Sequence, residues 1–503
     1  MQTITTLGHL KKSGYQSKPI KQELRDNLVQ KLQNNEKVFD GIIGYDTSVI
    51  PDVERAILSR HNILLLGLRG QAKTRIARQM VNLLDEYIPI IAGSEILDDP
   101  LQPLSRYAKD LIEINGDETP VEWVHRSQRF GEKLATPDVT VADLIGDVDP
   151  IKAATQKLHY ADERVLHFGI IPRCNRSIFI INELPDLQAR IQVALFNLLE
   201  EGDLQIRGFK LRFPLDIQFV FTANPEDYTN RGSIVTPLKD RIESQILTHY
   251  PKTIEDSRAI TAQEAQLSDE QQQRVFIPEL IKDLIEHIAF AARDSEFVDE
   301  KSGVSARLTI AAMENLVSTA ERRALLNNEQ QTVARISDFA GVFPAITGKI
   351  EMVYEGEQEG PIRVAQNIVD KAIRNLFVQF FPNPTKPKKH KSKQDETTIY
   401  HTVQQYFESG NVIDLFTDAS YETYTEELDK VTGLRDLVLG KVIGVSRQDL
   451  NIWMEFILHG MAAYSLLNKF QLEQGNQFSD ITSAMFNFGK EEDMDEDLKD
   501  LFN

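Results

Sequence analysis

The sequence predicts an α/β domain with a parallel sheet, followed by regions that are mainly helical. Short, mainly apolar runs containing β-branched residues lie at 63–66, 178–181 and 217–221, as is typical of strands buried on both faces of a parallel sheet. Each run is followed by glycine or polar residues. From Pro251 onward the apolar residues instead recur with the 3.6-residue period of helices.

Composition limits the class of protein. A chain of 503 residues exceeds one ordinary core, and at about 150 residues per domain it predicts about three domains. Hydrophobic content of 41% and charged content of 26% are those of a soluble globular protein. We expect no membrane span, because no run approaches the roughly 18 apolar residues that a span needs. With no apolar secretion signal at the N-terminus, the expected location is cytoplasmic.

Charge and cysteine content exclude further classes. The net charge of −20 opposes non-specific attraction to nucleic acid, so we do not expect a nucleic-acid partner. Cys174 is the only cysteine, which excludes an intramolecular disulfide and a cysteine-based metal site. The basic run KPKKHKSK at 386–393 is interpreted as a solvated linker, with a nuclear or nucleic-acid tag as the alternative.

The first chemical motif follows the first apolar run. Eight residues, GLRGQAKT, connect that run to a helical pattern, which is the arrangement of a phosphate-binding P-loop. In such a loop the backbone N–H groups surround the phosphates, a lysine reaches the outer two, and a hydroxyl binds Mg²⁺. The predicted nucleotide-binding residues are Gly67, Leu68, Arg69, Gly70, Gln71, Ala72, Lys73 and Thr74, and Thr74 is also a predicted metal ligand. Ala72 stands where glycine is commonest.

The segments before the P-loop are predicted to form a leader helix and a turn. Residues 1–40 are predicted to form a leader helix, with Leu24, Leu28 and Leu32 on one face, that packs on the next domain. The turn IIGY precedes a helix predicted at 49–59. Its residues Ile42, Ile43 and Gly44 are candidates for the adenine pocket, with a plain turn as the alternative.

Residues 89–150 contain no clear strand or helix pattern, and we interpret them as a long irregular insertion with a functional role. A turn is predicted at 143–150, and a strand or short helix is predicted at 159–171.

The second apolar run ends in NELPDL. Acidic and polar groups at the carboxyl end of a buried parallel strand lie where such folds bind ligands. Asn182 is therefore a predicted Mg²⁺ ligand, and Glu183 is predicted to orient an attacking water. A neutral amide holds Mg²⁺ less strongly than a carboxylate, so we expect Asn182 to weaken the metal site.

Further predicted elements and candidate site residues lie between residues 192 and 241. A helix is predicted at 192–201, and a hairpin with one basic side is predicted around Gly208. The third run ends at Asn224, which either holds a water near the γ-phosphate or caps a turn with Pro225. Arg241 follows the segment PLKD and is either a residue that reaches a neighbouring subunit or an ordinary surface arginine.

The remaining chain is predicted to be helical. Arg307 opens a predicted helix, where its charge opposes the helix dipole, so we expect an anion or acid partner. The predicted domains are a leader at 1–40, a nucleotide domain at 41–250, a helical lid at 251–383, a basic linker at 384–396, a helical C-terminal region at 397–490 and an acidic tail at 491–503.

Taken together, GLRGQAKT, FIINELPDL, FTANPEDY, TPLKDR and GVSARL resemble the ordered motifs of the AAA+ ATPases. The hairpin at Gly208 and the insertion before Ser177 resemble the branch of the magnesium chelatase ATPase subunit and the MoxR-like ATPases. The resemblance covers about 41–382. It implies that Lys73 and Thr74 match Walker A, Asn182 and Glu183 match Walker B, Asn224 matches sensor 1, Arg241 the arginine finger and Arg307 sensor 2.

The resemblance implies ATP and Mg²⁺ as cofactors and a hexameric ring with ATP at the subunit interfaces. The expected function is a motor or chaperone that remodels a partner protein or helps to insert a metal into it. The alternatives are a nucleotide-gated scaffold with little hydrolysis, favoured by Asn182, and a DNA translocase, opposed by the negative charge. A separate von Willebrand A protein is the expected partner, and the helical region at 400–486 is its expected docking element.

Overall fold

The computed structural model describes residues 4–156, 163–200, 203–204, 213–225, 233–384, 399–472 and 475–481. The chain forms two units, Met1–Tyr250 and Pro251–Asn503, which are described separately below.

A five-stranded parallel sheet forms the centre of the first unit. Its strands are β1 (Ile63–Leu66), β2 (Phe130–Leu134), β3 (Ser177–Asn182), β4 (Ile217–Ala223) and β5 (Ser244–Leu247). They lie in the order β5-β1-β4-β3-β2, and every neighbouring pair is parallel. The three apolar runs are thus confirmed as buried strands of a parallel sheet.

The strand register brings the carboxyl ends of the strands to one edge. Leu66 of β1 lies opposite Ala223 of β4, and Leu134 of β2 lies opposite Asn182 of β3. Residues that follow β1, β3 and β4 therefore emerge side by side, at the edge where α/β sheets bind their ligands.

Alternate residues of each strand face opposite sides of the sheet, and each side is covered by its own apolar core. Ile63, Ile180 and Val220 face a core completed by the helices Ile20–Gln33, Val49–Leu58 and Lys73–Gln79. Leu64, Phe179 and Phe221 face the other core. The predicted leader helix corresponds to Ile20–Gln33. It packs on the first core through Leu24 and Leu28, whereas Leu32 is exposed.

The prediction that residues 89–150 are irregular is wrong. They contain β2, the helix Arg106–Asn115, and most of an antiparallel pair formed by Tyr87–Ile91 and Val121–His125. The sequence FGEKL of β2 includes charged residues because β2 is an edge strand with partly exposed side chains. A search for continuous apolar runs cannot recognise such a strand.

The segment after β2 is also more ordered than expected. Gly146–Val148, within the predicted turn, pairs antiparallel with Leu166–Phe168. The predicted strand or helix at 159–171 corresponds to Leu166–Phe168 and the helix Ile170–Arg173, with 157–162 outside the described residues. Of the predicted hairpin, Asp203–Leu204 pairs antiparallel with Phe213–Pro214, and the turn at Gly208 lies outside the described residues.

Short helices complete the first unit: Leu7–Lys12, Val141–Leu144, Pro150–Gln156, Ala189–Ala194, Phe196–Glu200 and Thr236–Asp240, with 3₁₀ turns at Met80–Leu83, Gly116–Glu118, Arg126–Gln128, Glu163–Val165 and Leu184–Asp186. The single helix predicted at 192–201 is divided between two of these helices at Leu195.

The second unit is mainly helical. Its helices are Ile254–Glu264, Asp269–Arg274, Glu279–Arg293, Arg307–Leu326, Phe343–Thr347, Tyr354–Glu359, Pro361–Phe380, His401–Glu408, Tyr421–Asp429, Leu434–Lys441 and Leu450–Ala463, with a 3₁₀ turn at Ser337–Val342. Val275–Phe276 pairs with Thr332–Val333. A three-stranded antiparallel sheet of Ile413–Phe416, Asn468–Leu472 and Gly475–Ser479 was not expected.

One apolar core extends through the second unit. It includes residues of the predicted lid, such as Leu316 and Phe377, together with Phe456 and Met461 of the predicted C-terminal region. Helical periodicity shows which face of a helix is apolar but not what that face packs against, so the sequence divided one core in two. The basic linker at 386–393 and the acidic tail lie outside the described residues.

Candidate nucleotide-binding site

The loop that follows β1 turns sharply through two left-handed residues. Gly70 has φ of 73° and Ala72 has φ of 56°, and the helix Lys73–Gln79 begins directly after Ala72. Left-handed backbone costs an alanine roughly 1–2 kcal/mol, so the surrounding contacts must hold this conformation. A side chain at Gly67 would overlap Thr248 Oγ1 and Gln71 Oε1, which explains why glycine opens the loop.

Neighbouring segments hold the loop from outside. Thr248 Oγ1 donates to Gln71 Oε1 at 2.7 Å, and Tyr250 Oη donates to the Arg69 carbonyl at 3.0 Å. The Tyr45 hydroxyl lies 3.1 Å from the Gln71 carbonyl and 2.6 Å from the His249 carbonyl. Burial raises the pKa of Tyr45 to about 12, so this hydroxyl keeps its proton and remains a donor.

These contacts place the candidate adenine segment beside the loop. Tyr45 directly follows Ile42, Ile43 and Gly44, and its hydroxyl contacts the loop carbonyl at Gln71. Ile42 itself is buried in the sheet core, and Gly44 has φ of 77°. The segment therefore borders the loop, and its role in binding adenine stays a prediction.

Lys73 is hydrogen-bonded across to the end of β4. Its Nζ donates to Asn224 Oδ1 at 2.6 Å, to the Leu68 carbonyl at 3.0 Å and to the Gly67 carbonyl. Asn224 Nδ2 in turn donates to Glu183 Oε2 at 2.8 Å. Asn224 therefore links the lysine of the loop to the carboxylate at the end of β3.

Glu183 leaves β3 in an unusual conformation. Its φ of 54° is left-handed, and its backbone N–H donates to Thr222 Oγ1 at 3.2 Å. Strained backbone of this kind persists where surrounding contacts determine it, and it occurs often at functional sites. The turn directs the Glu183 carboxylate toward Asn224.

Thr74 and Asn182 form a second group of polar atoms. Thr74 Oγ1 donates to Asn182 Oδ1 at 3.2 Å, and Thr222 Oγ1 donates to the same oxygen at 3.1 Å. Asn182 Nδ2 donates to Glu132 Oε1 at 2.7 Å, and Arg78 holds both oxygens of Glu132. Neither Glu132 nor Thr222 was predicted as a site residue: Glu132 lies outside the motifs, and Thr222 lies within FTANPEDY beside the predicted Asn224.

The donor set fits Mg²⁺. A hydroxyl at Thr74 and an amide oxygen at Asn182 are hard oxygen ligands, which Mg²⁺ prefers, and it commonly completes its shell with water and phosphate oxygens. Among the described residues there is no group of three or more His, Cys, Asp or Glu side chains arranged to hold a metal by themselves. Such a site would bind Mg²⁺ together with a phosphate ligand rather than alone.

The two predicted arginines contact other residues. Arg241 Nη2 lies 2.7 Å from Glu200 Oε2, Nη1 donates to the Pro237 carbonyl at 2.9 Å, and the guanidinium lies 5.0 Å from the Phe196 ring centre. Arg307 belongs to the second unit, where it is exposed and its backbone N–H donates to Ser305 Oγ. The roles of both arginines stay predictions.

The fold and the site define an α/β domain with a P-loop at the carboxyl edge of its parallel sheet, followed along the chain by a mainly helical unit. No protein-family model matches the sequence, and no curated protein matches it. No helix in the described part of the chain is long and apolar enough to cross a membrane.

Several solved structures are similar to the chain at low sequence identity. NtrX from Brucella abortus in complex with ATP is 12% identical, with a TM-score of 0.35, over 71% of this chain and 67% of that one. Hsp104 with ATPγS and casein is 12% identical, with a TM-score of 0.36, over 62% of this chain and half (50%) of that one. The complex of BchI and BchD of magnesium chelatase is 17% identical, with a TM-score of 0.32, over 64% of this chain and 98% of that one.

Proposed function

We propose that this protein is a Mg²⁺-dependent ATPase of the AAA+ type, in the branch of the MoxR-like and magnesium chelatase ATPases. The observation that carries the proposal is the hydrogen-bonded series from Lys73 through Asn224 to Glu183. These three residues were predicted from separate motifs, and Asn224 lies within hydrogen-bond distance of both of the others. Such a series needs three strand ends to converge, and a chance P-loop match would not produce it.

Each residue has a distinct role in this proposal. The backbone N–H groups of 67–72 and the Lys73 ammonium bind the phosphates, and Thr74 with Asn182 holds Mg²⁺. Bound Mg²⁺ would neutralise charge on the phosphates. Glu183 orients the attacking water, and Asn224 fixes the direction of the Glu183 carboxylate.

Two variants test the proposal against its main alternative. Lys73→Ala should abolish binding of ATP, whereas Glu183→Gln should bind ATP with Mg²⁺ and fail to hydrolyse it. The exposed Lys37, changed to alanine, is a matched control in the same unit. Equal, unimpaired turnover in the Lys73 and Glu183 variants would overturn the assignment.

The alternative is a nucleotide-gated scaffold with little hydrolysis, and the neutral Asn182 favours it. In that case the unaltered protein would bind ATP with Mg²⁺ and show no turnover above that of Glu183→Gln. Phosphate release measured on both proteins at saturating ATP separates the two functions.

The assembly and the client extend the same proposal. A hexameric ring, with Arg241 reaching a neighbouring site, and a von Willebrand A protein as partner follow from the motif resemblance, and a cytoplasmic location follows from the N-terminal sequence and the cysteine content. Light scattering with and without ATP tests the ring, because a protein that stays monomeric at saturating ATP cannot use Arg241 in this way. Capture of partners on the Glu183→Gln protein tests the client.

A further inference from the structure

The amide of Asn182 is fixed by contacts on both sides. Its oxygen accepts hydrogen bonds from the hydroxyls of Thr74 and Thr222, and its nitrogen donates to the Glu132 carboxylate at 2.7 Å. A carboxylate only accepts hydrogen bonds, whereas a hydroxyl both donates and accepts. Glu132 is therefore the contact that decides which way the amide points.

Sheet geometry explains why these two side chains meet. On the neighbouring strands β2 and β3, Glu132 lies opposite Ile180, and Asn182 follows Ile180 by two residues. Side chains two residues apart on a strand point to the same face, so Glu132 and Asn182 are diagonal neighbours. Arg78, on the P-loop helix, holds the carboxylate in place with two hydrogen bonds of 2.8 and 2.9 Å.

We propose that Glu132 is a positioning residue for the metal ligand, acting through Asn182. It directs the amide oxygen toward Thr74 and provides, next to the site, the negative charge that an asparagine lacks. This inference rests on the proposed function, since it assigns Thr74 and Asn182 to Mg²⁺. It reverses the expectation that Asn182 alone weakens the site.

The proposal predicts an unusual pattern of substitutions. Asn182→Asp adds a charged ligand, but it also places two carboxylates at hydrogen-bond distance, where they repel each other. Glu132→Gln keeps the size of the side chain but removes the charge and lets the amide of Asn182 turn either way. In the double variant Glu132→Gln, Asn182→Asp, the new amide at position 132 can donate a hydrogen bond to the new carboxylate at position 182, so one donor again faces one carboxylate.

Binding of a fluorescent N-methylanthraniloyl-ADP, with Mg²⁺ and with EDTA, measures the effect without any turnover. In EDTA all variants should bind within about two-fold of the unaltered protein, because the loop and Lys73 are intact. The tightening of binding by Mg²⁺ should fall about ten-fold in each single variant, the size expected for one charge-assisted hydrogen bond. The double variant should recover to within about two-fold. Glu122→Gln, an exposed glutamate on another strand, should change nothing.

Thermal unfolding without nucleotide, measured on the unaltered protein, the two single variants and the double variant, separates failure of the proposed function from failure of the role of Glu132. The shifts of the two single variants should not add in the double variant, which shows that the pair interacts even if no nucleotide binds. Loss of nucleotide binding in the unaltered protein would overturn the proposed function alone. Normal binding with an unchanged Mg²⁺ effect in Glu132→Gln, or tighter Mg²⁺-dependent binding in Asn182→Asp alone, would overturn the role of Glu132.

Discussion

The amide of Asn224 contacts both Lys73, at 2.6 Å through its oxygen, and Glu183, at 2.8 Å through its nitrogen. One side chain therefore contacts the proposed phosphate-binding lysine and the candidate catalytic carboxylate at the same time. A change in the position of Lys73 must alter what Asn224 offers to Glu183. The alternative considered from the sequence, a cap of the turn at Pro225, would not require either contact.

The first prediction uses this double contact. Asn224→Asp should lower nucleotide affinity, because a carboxylate holds the Lys73 ammonium more strongly than an amide does. It should also lower turnover about 100-fold, because it can no longer donate to Glu183. Asn224→Ala should lower turnover similarly but leave affinity within about three-fold. Equal affinities in the two variants would show that Asn224 does not compete for the lysine.

The second prediction concerns Arg241. Its ion pair with Glu200 is partly exposed, with side chains 29% and 61% accessible, so breaking it costs under about 1 kcal/mol. An arginine that acts on a neighbouring subunit must leave Glu200. Glu200→Gln should therefore keep or raise ATP turnover, whereas Arg241→Ala should lower it at least 10-fold.

Mixing subunits provides the complementary measurement. Arg241→Ala and Lys73→Ala proteins, each impaired alone, should regain part of the turnover when mixed, because an intact loop can meet an intact arginine. If Arg241 instead only stabilises its own subunit, the Glu200 and Arg241 variants should lose similar activity and mixing should restore nothing.

The sequence predicted the strands that carry the site because each is a mainly apolar run followed by glycine or a polar residue. It did not predict β2 or Glu132, because this edge strand includes charged, partly exposed side chains, and its glutamate becomes informative only when β3 is placed beside it. It also separated the lid from the C-terminal region, because a linker is visible in a sequence while a shared core is not. Local patterns predicted the residues, and pairing between distant segments determined their partners.

The third prediction concerns a buried ion pair in the first unit. Arg129 Nη1 and Nη2 each lie 2.7 Å from one oxygen of Glu23, and both side chains are almost fully buried. Removing one partner leaves a buried charge unpaired, so Glu23→Gln should lower the free energy of unfolding by about 3–5 kcal/mol. Urea unfolding of the first unit measures this.

An exposed ion pair serves as the control. Asp110→Asn, which removes the contact with Arg106, should change the free energy of unfolding by under about 1 kcal/mol. A Glu23→Gln effect no larger than that would show that the leader helix is not anchored through Arg129.

The fourth prediction is a pH dependence that arises from His459. The imidazole is buried against Phe478, and neither ring nitrogen has a hydrogen-bond partner within the described ranges. Burial lowers the pKa of His459 well below 6.5, and nearby Lys469 lowers it further. Below pH 6.5 the unfolded chain therefore binds a proton that the folded chain does not. The free energy of unfolding consequently decreases as the pH is lowered.

His459→Leu removes that loss. Relative to the unaltered protein, the variant should gain about 1 kcal/mol in free energy of unfolding between pH 6.5 and 5.5. Burial raises the pKa of the neighbouring Glu455, an effect of opposite direction that both proteins share. The exposed His401, changed to leucine, is the control. A difference independent of pH would show that His459 is protonated when folded.

The region after the linker is held to the rest of the second unit by buried contacts. The ring of Phe377 lies 5.8 Å from that of Phe456 and 6.0 Å from that of Tyr464. Glu455 accepts hydrogen bonds from the backbone N–H groups of Ile336 and Ser337 at 3.0 and 2.8 Å. A docking element that could be removed without consequence would not make such contacts.

The last prediction follows from these contacts. A chain ending at Lys393 should lose the cooperative thermal transition of its second unit, because removal of the C-terminal helices exposes Phe377 and leaves two buried N–H groups unpaired. A chain ending at Lys490 removes only the acidic tail and should keep that transition. Salt-sensitive capture of a von Willebrand A protein can therefore be tested with the shorter deletion alone. If the chain ending at Lys393 unfolds cooperatively at the same temperature as the full chain, the shared core does not stabilise the second unit, and the region after the linker is a separable domain.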